Sequence, residues 1–169
     1  MLIIVTGLPG SGKTYFSKAL SEEIKAHHIN SDKTRKVHDL MGMYDDTSKN
    51  KVYFEMLLQM MKLLKQNEHV IIDATFYKRR TRNLFIDIAA LSGHSVKVIQ
   101  IKASTKTVEE RVSKKRALSE ADVEVYQKIK AIYEPLEIAH LILWSDKMDL
   151  KEMLAKTVDY TLNNEQKSN

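Results

Sequence analysis

Leu2-Ile3-Ile4-Val5-Thr6-Gly7-Leu8-Pro9-Gly10-Ser11-Gly12-Lys13-Thr14 decides the fold. Gly7, Gly12, Lys13 and Thr14 complete the G-x-x-x-x-G-K-[ST] pattern of a phosphate-binding P-loop. Each residue type has a physical reason. Glycines let the backbone turn tightly and aim its N–H groups at a phosphate. Lys13 supplies a point charge for the β- and γ-phosphates, and the Thr14 hydroxyl is a Mg²⁺ ligand candidate. The flanks agree with the motif. Leu2 to Val5 reads as a buried strand, and Phe16, Ala19, Leu20 and Ile24 recur at helical spacing. A phosphate would then sit at a helix N-terminus. Gly7, Leu8, Pro9, Gly10, Ser11, Gly12, Lys13 and Thr14 are therefore the expected nucleotide-binding residues, with Lys13 also catalytic.

Outward from this stretch, short apolar runs alternate with amphipathic segments, the pattern of a parallel sheet with crossover helices. Strands are expected at His28-Ile29-Asn30-Ser31-Asp32, at His69 to Asp73, at Ser95 to Ile101 and at His140 to Trp144. A short basic helix is expected from about Lys33 to Met41. Asp46 or Thr47 can cap a long helix in which Val52, Met56, Met60 and Leu63 share a face. A further helix carries Leu84, Ile88 and Leu91 and stops at Gly93. Another, around Val108 and Val112, runs into Lys114-Lys115-Arg116. Ser119 with Asp122 resembles a capping box for a helix bearing Tyr126, Ile129 and Tyr133, which Pro135 ends or kinks. Leu150, Leu154 and Val158 line a last helix, and the polar tail from about Asn163 is expected to fray.

The expected fold is an α/β three-layer sandwich of the P-loop NTPase kind, with about five parallel strands and helices on both faces. A small helical lid is expected at about 111–122. A length of 169 residues fits one domain, 1–169. Lys plus Arg at 27 against Asp plus Glu at 22 gives +5, a bias toward anionic ligands that nucleotide alone accounts for. With no cysteine, disulfides, thiolate zinc sites and cysteine nucleophiles are excluded. The N-terminal apolar run is too short for a signal sequence, and no stretch approaches transmembrane length. A soluble, cytoplasmic protein without a membrane partner is expected.

In open parallel sheets ligands bind at the carboxyl ends of the strands. That rule selects Asn30-Ser31-Asp32 and Asp73-Ala74-Thr75 beside the P-loop. Apolar residues ending in Asp73 resemble a Walker B strand, whose carboxylate reaches Mg²⁺; a strand-end Asp that caps or turns is the plainer alternative. Asp32 is the candidate general base for an acceptor hydroxyl, or else a helix cap. Arg35, one turn later, is placed to hold an anionic acceptor, or else is a solvated surface residue. Lys78, Arg79, Arg80 and Arg82 open a helix, where positive charge opposes the dipole. A bound anion explains that cluster, as against a solvated basic face. Arg111, Lys114, Lys115 and Arg116 close a helix in the position of a lid over phosphates.

On these residues the chain resembles the P-loop kinases of the polynucleotide-kinase and zeta-toxin group. Within that group it is similar to small kinases classed with the AAA-type ATPases. The likeness rests on the P-loop, on Asn30-Ser31-Asp32 with Arg35, and on Val70-Ile71-Ile72-Asp73-Ala74-Thr75-Phe76. It continues through Arg79, Arg80 and Arg82 to Glu110-Arg111 and Ser119-Glu120-Ala121-Asp122. The resemblance implies ATP and Mg²⁺ as cofactors, Asp32 as general base and Arg35 as an acceptor-phosphate contact. It places Arg111 and Arg116 in the lid, with Lys115 competing for the arginine's part. Catalytic Lys13, Asp32 and Arg116 are expected. Arg111 joins the nucleotide site, Arg35, Asp73, Thr75, Arg79 and Arg82 the acceptor site, and Thr14 and Asp73 the metal.

Phe76 departs from the group, since polynucleotide kinases usually carry Asn there. The expected reaction is transfer of the ATP γ-phosphoryl group to a hydroxyl of a small, anionic or polyhydroxylated acceptor. A nucleic-acid 5′-hydroxyl is the alternative, and an ATP-binding regulatory protein without an acceptor is the second. A remodelling AAA ATPase does not fit so short a chain.

Overall fold

The computed structural model describes residues 1–43, 45–113 and 123–162. The expected lid residues Lys114, Lys115, Arg116, Ser119 and Asp122, and the tail from Asn163, lie outside the described residues.

Five strands form one wholly parallel sheet: β1 (Leu2–Thr6), β2 (His27–Asn30), β3 (Val70–Asp73), β4 (Val96–Lys102) and β5 (Leu141–Trp144). Their order is β2-β3-β1-β4-β5, so the P-loop strand is central and apolar on both faces. Alternation along the strands sorts the core into two layers. Leu2, Ile4, Val70, Ile72 and Val98 pack against α3 (Asp46–Lys65) and α4 (Arg79–Leu91). Ile3, Val5, Ile71, Ile99 and Leu143 pack against α1 (Lys13–Glu23) and α7 (Leu150–Leu162). The three-layer α/β sandwich expected from the alternating pattern is present.

The remaining helices, α2 (Ser31–Val37), α5 (Thr105–Ser113) and α6 (Val123–Ala131), gather near the strand ends. Some boundaries differ from expectation for local reasons. Asp45, not Asp46 or Thr47, caps α3: its Oδ1 accepts from Ser48 N at 2.9 Å and its Oδ2 from Ser48 Oγ at 2.7 Å. In the methionine-rich helix Val52, Met56 and Met60 are buried as expected, but Leu64 rather than Leu63 completes the fully buried stripe. α6 ends at Ala131, before Pro135, so Tyr133 lies beyond the helix and not on its face. Gly93, at φ +78°, follows the end of α4 as a C′ residue. Among the described residues no helix is long and apolar enough to cross a membrane.

Candidate active site

The loop between β1 and α1 is shaped for an anion. Gly12, at φ +95°, is the N-cap of α1, with no side-chain cap and no acid in the first turn. The helix N–H groups are thereby left to an incoming ligand. At Gly7 a side chain is excluded outright, because a Cβ would stand 2.3 Å from the Ile101 carbonyl oxygen. Lys13 Nζ donates to the Leu8 carbonyl at 3.0 Å, folding the side chain back over the loop. Burial pulls the Lys13 pKa down, while the Asp73 and Asp32 carboxylates pull it up. Both acids therefore act on the P-loop lysine.

The β2–β3 register sets Asn30 beside Asp73 and carries the second part of the site. Asp73 is 1% exposed, and its Oδ2 accepts from Asn30 Nδ2 at 2.7 Å and from His28 Nε2 at 3.3 Å. Its Oδ1 is buried and has no hydrogen-bond partner among the described residues. Burial pushes the Asp73 carboxyl up, but the His28 bond, the Lys13 charge and the Thr14 hydroxyl together hold it below its ordinary value. Asn30 Nδ2 also reaches Thr14 Oγ1 at 3.3 Å. The two expected metal ligands, Thr14 and Asp73, thus meet at one amide. Among the described residues no group of three His, Asp or Glu side chains could hold a metal by itself. The orphaned Asp73 oxygen and the Thr14 hydroxyl fit Mg²⁺ arriving with the phosphates that complete its shell.

Asn30, and not Asp32, caps α2. Its Oδ1 accepts from Lys33 N at 2.9 Å, making Asn30 the N-cap of α2. Asp32 sits in the first turn, half-buried, without the capping duty. Arg35 is neither an open clamp nor a solvated residue. It is 6% exposed, and its Nη1 donates to the carbonyls of Met43 at 2.5 Å and Leu40 at 3.4 Å, closing the loop after α2.

At the basic opening of α4, Lys78 and Arg79 meet acids of the protein itself. Glu134 accepts from the Arg79 backbone N–H, and Glu137 pairs with the Arg79 guanidinium. Lys78 lies 3.8 Å from Asp46 and stacks near Tyr77. Arg82 corrects the expectation most clearly. It is 2% exposed and donates to the carbonyls of Phe76 at 2.6 Å, Glu134 at 3.0 Å and Pro135 at 2.8 Å. An interior guanidinium so engaged is a brace between two chain segments, not an acceptor contact. Thr75 is half-buried, and its carbonyl accepts from Thr6 Oγ1 at 2.8 Å. Phe76 and Tyr77, the two rings that follow β3, are 0% and 7% exposed. Phe76 adopts φ +48°, which places its ring on Tyr53 at 5.4 Å and edge-on to Phe85 at 5.2 Å.

Arg111 reaches the P-loop from the other side. Its Nη1 donates to Ser145 Oγ at 2.8 Å and Gly10 O at 3.4 Å, and its Nη2 to Ser145 O at 3.2 Å. Ser145 Oγ in turn donates to Ser11 O at 2.6 Å. Ser145 and His28 were not singled out in the sequence. The strand-end rule that selected Asp73 also points to Ser145 after β5, and His28 shares the Asn30 face of β2 by two-residue periodicity.

Known structures share this architecture. The chain is similar to the Mycobacterium tuberculosis APS kinase CysC in complex with AMPPNP and APS: 16% identity, 94% of this chain and 95% of that one covered, TM-score 0.71. A gluconokinase from Sinorhizobium meliloti 1021 matches at 20% identity, 99% and 97% coverage and TM-score 0.71. Chaetomium thermophilum Kti12 in complex with ADP-AlF3 matches at 21% identity, 94% and 98% coverage and TM-score 0.74. At such identities the likeness establishes a shared fold. Residues 2–136, which take in the P-loop, Asp32, Asp73 and Arg111, match the AAA domain family, and the chain belongs to that family.

Proposed function

We propose that this protein is an ATP-dependent kinase that moves the γ-phosphoryl group to a hydroxyl of a small, anionic or polyhydroxylated acceptor. The observation that carries the reading is the placement of Asp32. Asn30 caps α2, and Asp32 acts electrostatically on Lys13 from a half-buried position. A nucleotide switch without an acceptor has no use for a second carboxylate there.

The P-loop amides and Lys13 would hold the β- and γ-phosphates, and Thr14 and Asp73 would hold Mg²⁺, which neutralises charge across those phosphates. Asp32 takes the proton of the acceptor hydroxyl as its oxygen bonds to the γ-phosphorus and the bond to the β,γ-bridging oxygen breaks, releasing ADP. Arg111, already bound to the Gly10 carbonyl, braces the loop, and Arg116 is the candidate lid cation. APS kinase and gluconokinase, two proteins of the same fold, are named for small acceptors, which favours a small acceptor here. Burial of Phe76 and Tyr77 weighs against the nucleic-acid alternative, because readers of single strands stack bases on exposed rings.

The test offers γ-labelled ATP with pooled nucleosides, sugars and aminoglycosides, and separately with a 5′-hydroxyl oligonucleotide. Label on a member of the small-molecule pool is the expected outcome. Efficient labelling of the oligonucleotide, lost steeply as salt rises, would overturn the small-acceptor preference. Release of inorganic phosphate alone would overturn the kinase reading.

A further inference from the structure

The α3–α4 face of the sheet is filled with side chains as far as Val98 on β4. Beyond it, by alternation, that face presents Gln100 and Lys102. Over them lies a cavity of about 300 Å³, roofed by Tyr126 and Lys130 of α6 and walled by Tyr133 and Trp144. That volume equals about ten water molecules and sits at the small end of ligand pockets. The cavity also touches Gly7, Leu8 and Ser11, on the P-loop.

Its chemistry is one-sided. Its described lining holds two lysines and no carboxylate. Among the described residues Lys130 Nζ bonds a neutral oxygen, Thr105 Oγ1 at 3.3 Å, and lies 5.5 Å from the Tyr126 ring centroid. Lys102 Nζ stands 5.9 Å from the Trp144 centroid, on the residue that pairs with Trp144 in the sheet. Tyr133 is held in place by a 2.9 Å bond between its hydroxyl and Thr6 Oγ1. A further polar group lies in the wall: Ser11 is 1% exposed, and among the described residues its Oγ has no hydrogen-bond partner. A buried hydroxyl left this way is costly unless a ligand or water completes it.

The cavity is also separate from the proposed base. Asp32 follows β2, and the order β2-β3-β1-β4 puts two strand spacings, about 10 Å, between that strand and the near wall of the pocket at Gly7 and Leu8, and a third to its floor on β4.

We infer that the cavity between β4 and α6 is a second ligand site, taking a small aromatic anion whose ring lies among Trp144, Tyr126 and Tyr133. Its negative group meets Lys102 and Lys130. The inference does not depend on phosphoryl transfer, and its test reads binding alone.

Trp144 is the only tryptophan in the chain, so its fluorescence reports the cavity without a label. The purified full chain is titrated with 4-hydroxybenzoate and with phenyl phosphate, which separate carboxylate from phosphate as the anionic group, and with neutral 4-hydroxybenzamide. The expected result is a saturable change with at least one anion and none with the amide at equal concentration. Lys130→Glu should weaken binding about tenfold, as loss of a charged hydrogen-bond donor does. Lys102→Gln, a milder change, should act in the same direction. Lys62→Glu, an equal charge reversal at an exposed position on α3, should leave binding unchanged. No saturable change with either anion would overturn the inference, as would equal binding of the amide. Equal weakening by Lys62→Glu, or competitive displacement of the probe by ATP, would overturn it too.

Discussion

Asn30 Nδ2 donates to Asp73 Oδ2 at 2.7 Å, across the one pair of strands that joins the cap of α2 to the end of β3. The same side chain caps α2 through Oδ1 and reaches Thr14 through Nδ2. One amide therefore holds together the proposed base helix, the Walker-type acid and the P-loop threonine.

Asn30→Ala removes a charge-assisted bond and a helix cap at once. The expected loss is about 2–4 kcal/mol, read as a fall in the urea midpoint with unchanged slope. A loss within about 0.5 kcal/mol would show that water replaces the amide without cost.

Asp73 carries a pH signature. Its carboxyl is held below the ordinary value of 3.8 by His28, Lys13 and Thr14 against the effect of burial. A depressed folded-state pKa means that the ionised form stabilises the fold above the unfolded value. That stability is lost as pH falls through the folded one. Stability of the parent protein should thus decline below about pH 4, and Asp73→Asn should flatten that limb relative to the parent. Parallel acid limbs in the two proteins would contradict the assignment.

Arg82→Met should destabilise by about 3 kcal/mol, because the carbonyls of Phe76, Glu134 and Pro135 lose a charged donor in the interior. Turnover per folded molecule should change little. A large fall in turnover with unchanged stability would restore Arg82 to the acceptor site.

Much of this was legible in the sequence. The P-loop, the buried central strand and the alternation of strands with helices follow from spacing and side-chain type, and they place Lys13, Thr14 and Asp73 at one sheet edge. What was not legible lies in long-range pairing. Arg79 and Arg82 read as an anion site because Glu134, Glu137 and the Pro135 carbonyl are over fifty residues away in sequence. The burial of Phe76 was not legible either, because no local rule shows that its left-handed backbone turns the ring onto Tyr53 and Phe85. The cap of α2 was not legible for a similar reason: Asn and Asp are equally good caps, and only coordinates show that Asn30 is the one that caps.

Lys13→Ala should abolish nucleotide-dependent phosphoryl transfer while circular dichroism and thermal midpoint stay close to the parent. The side chain is half-buried and contributes one bond, to the Leu8 carbonyl. An active Lys13→Ala protein would remove the P-loop from the account.

The central claim is that Asp32 takes the proton of an acceptor hydroxyl. The direct measurement is the turnover and ATP affinity of Asp32→Asn, determined side by side with the acceptor identified by γ-phosphoryl labelling. Asparagine keeps the size of the side chain and removes its basicity. The account predicts turnover lowered on the order of 10²-fold or more with ATP affinity nearly unchanged. Turnover within about threefold of the parent would contradict it, since a positioned general base contributes far more than that.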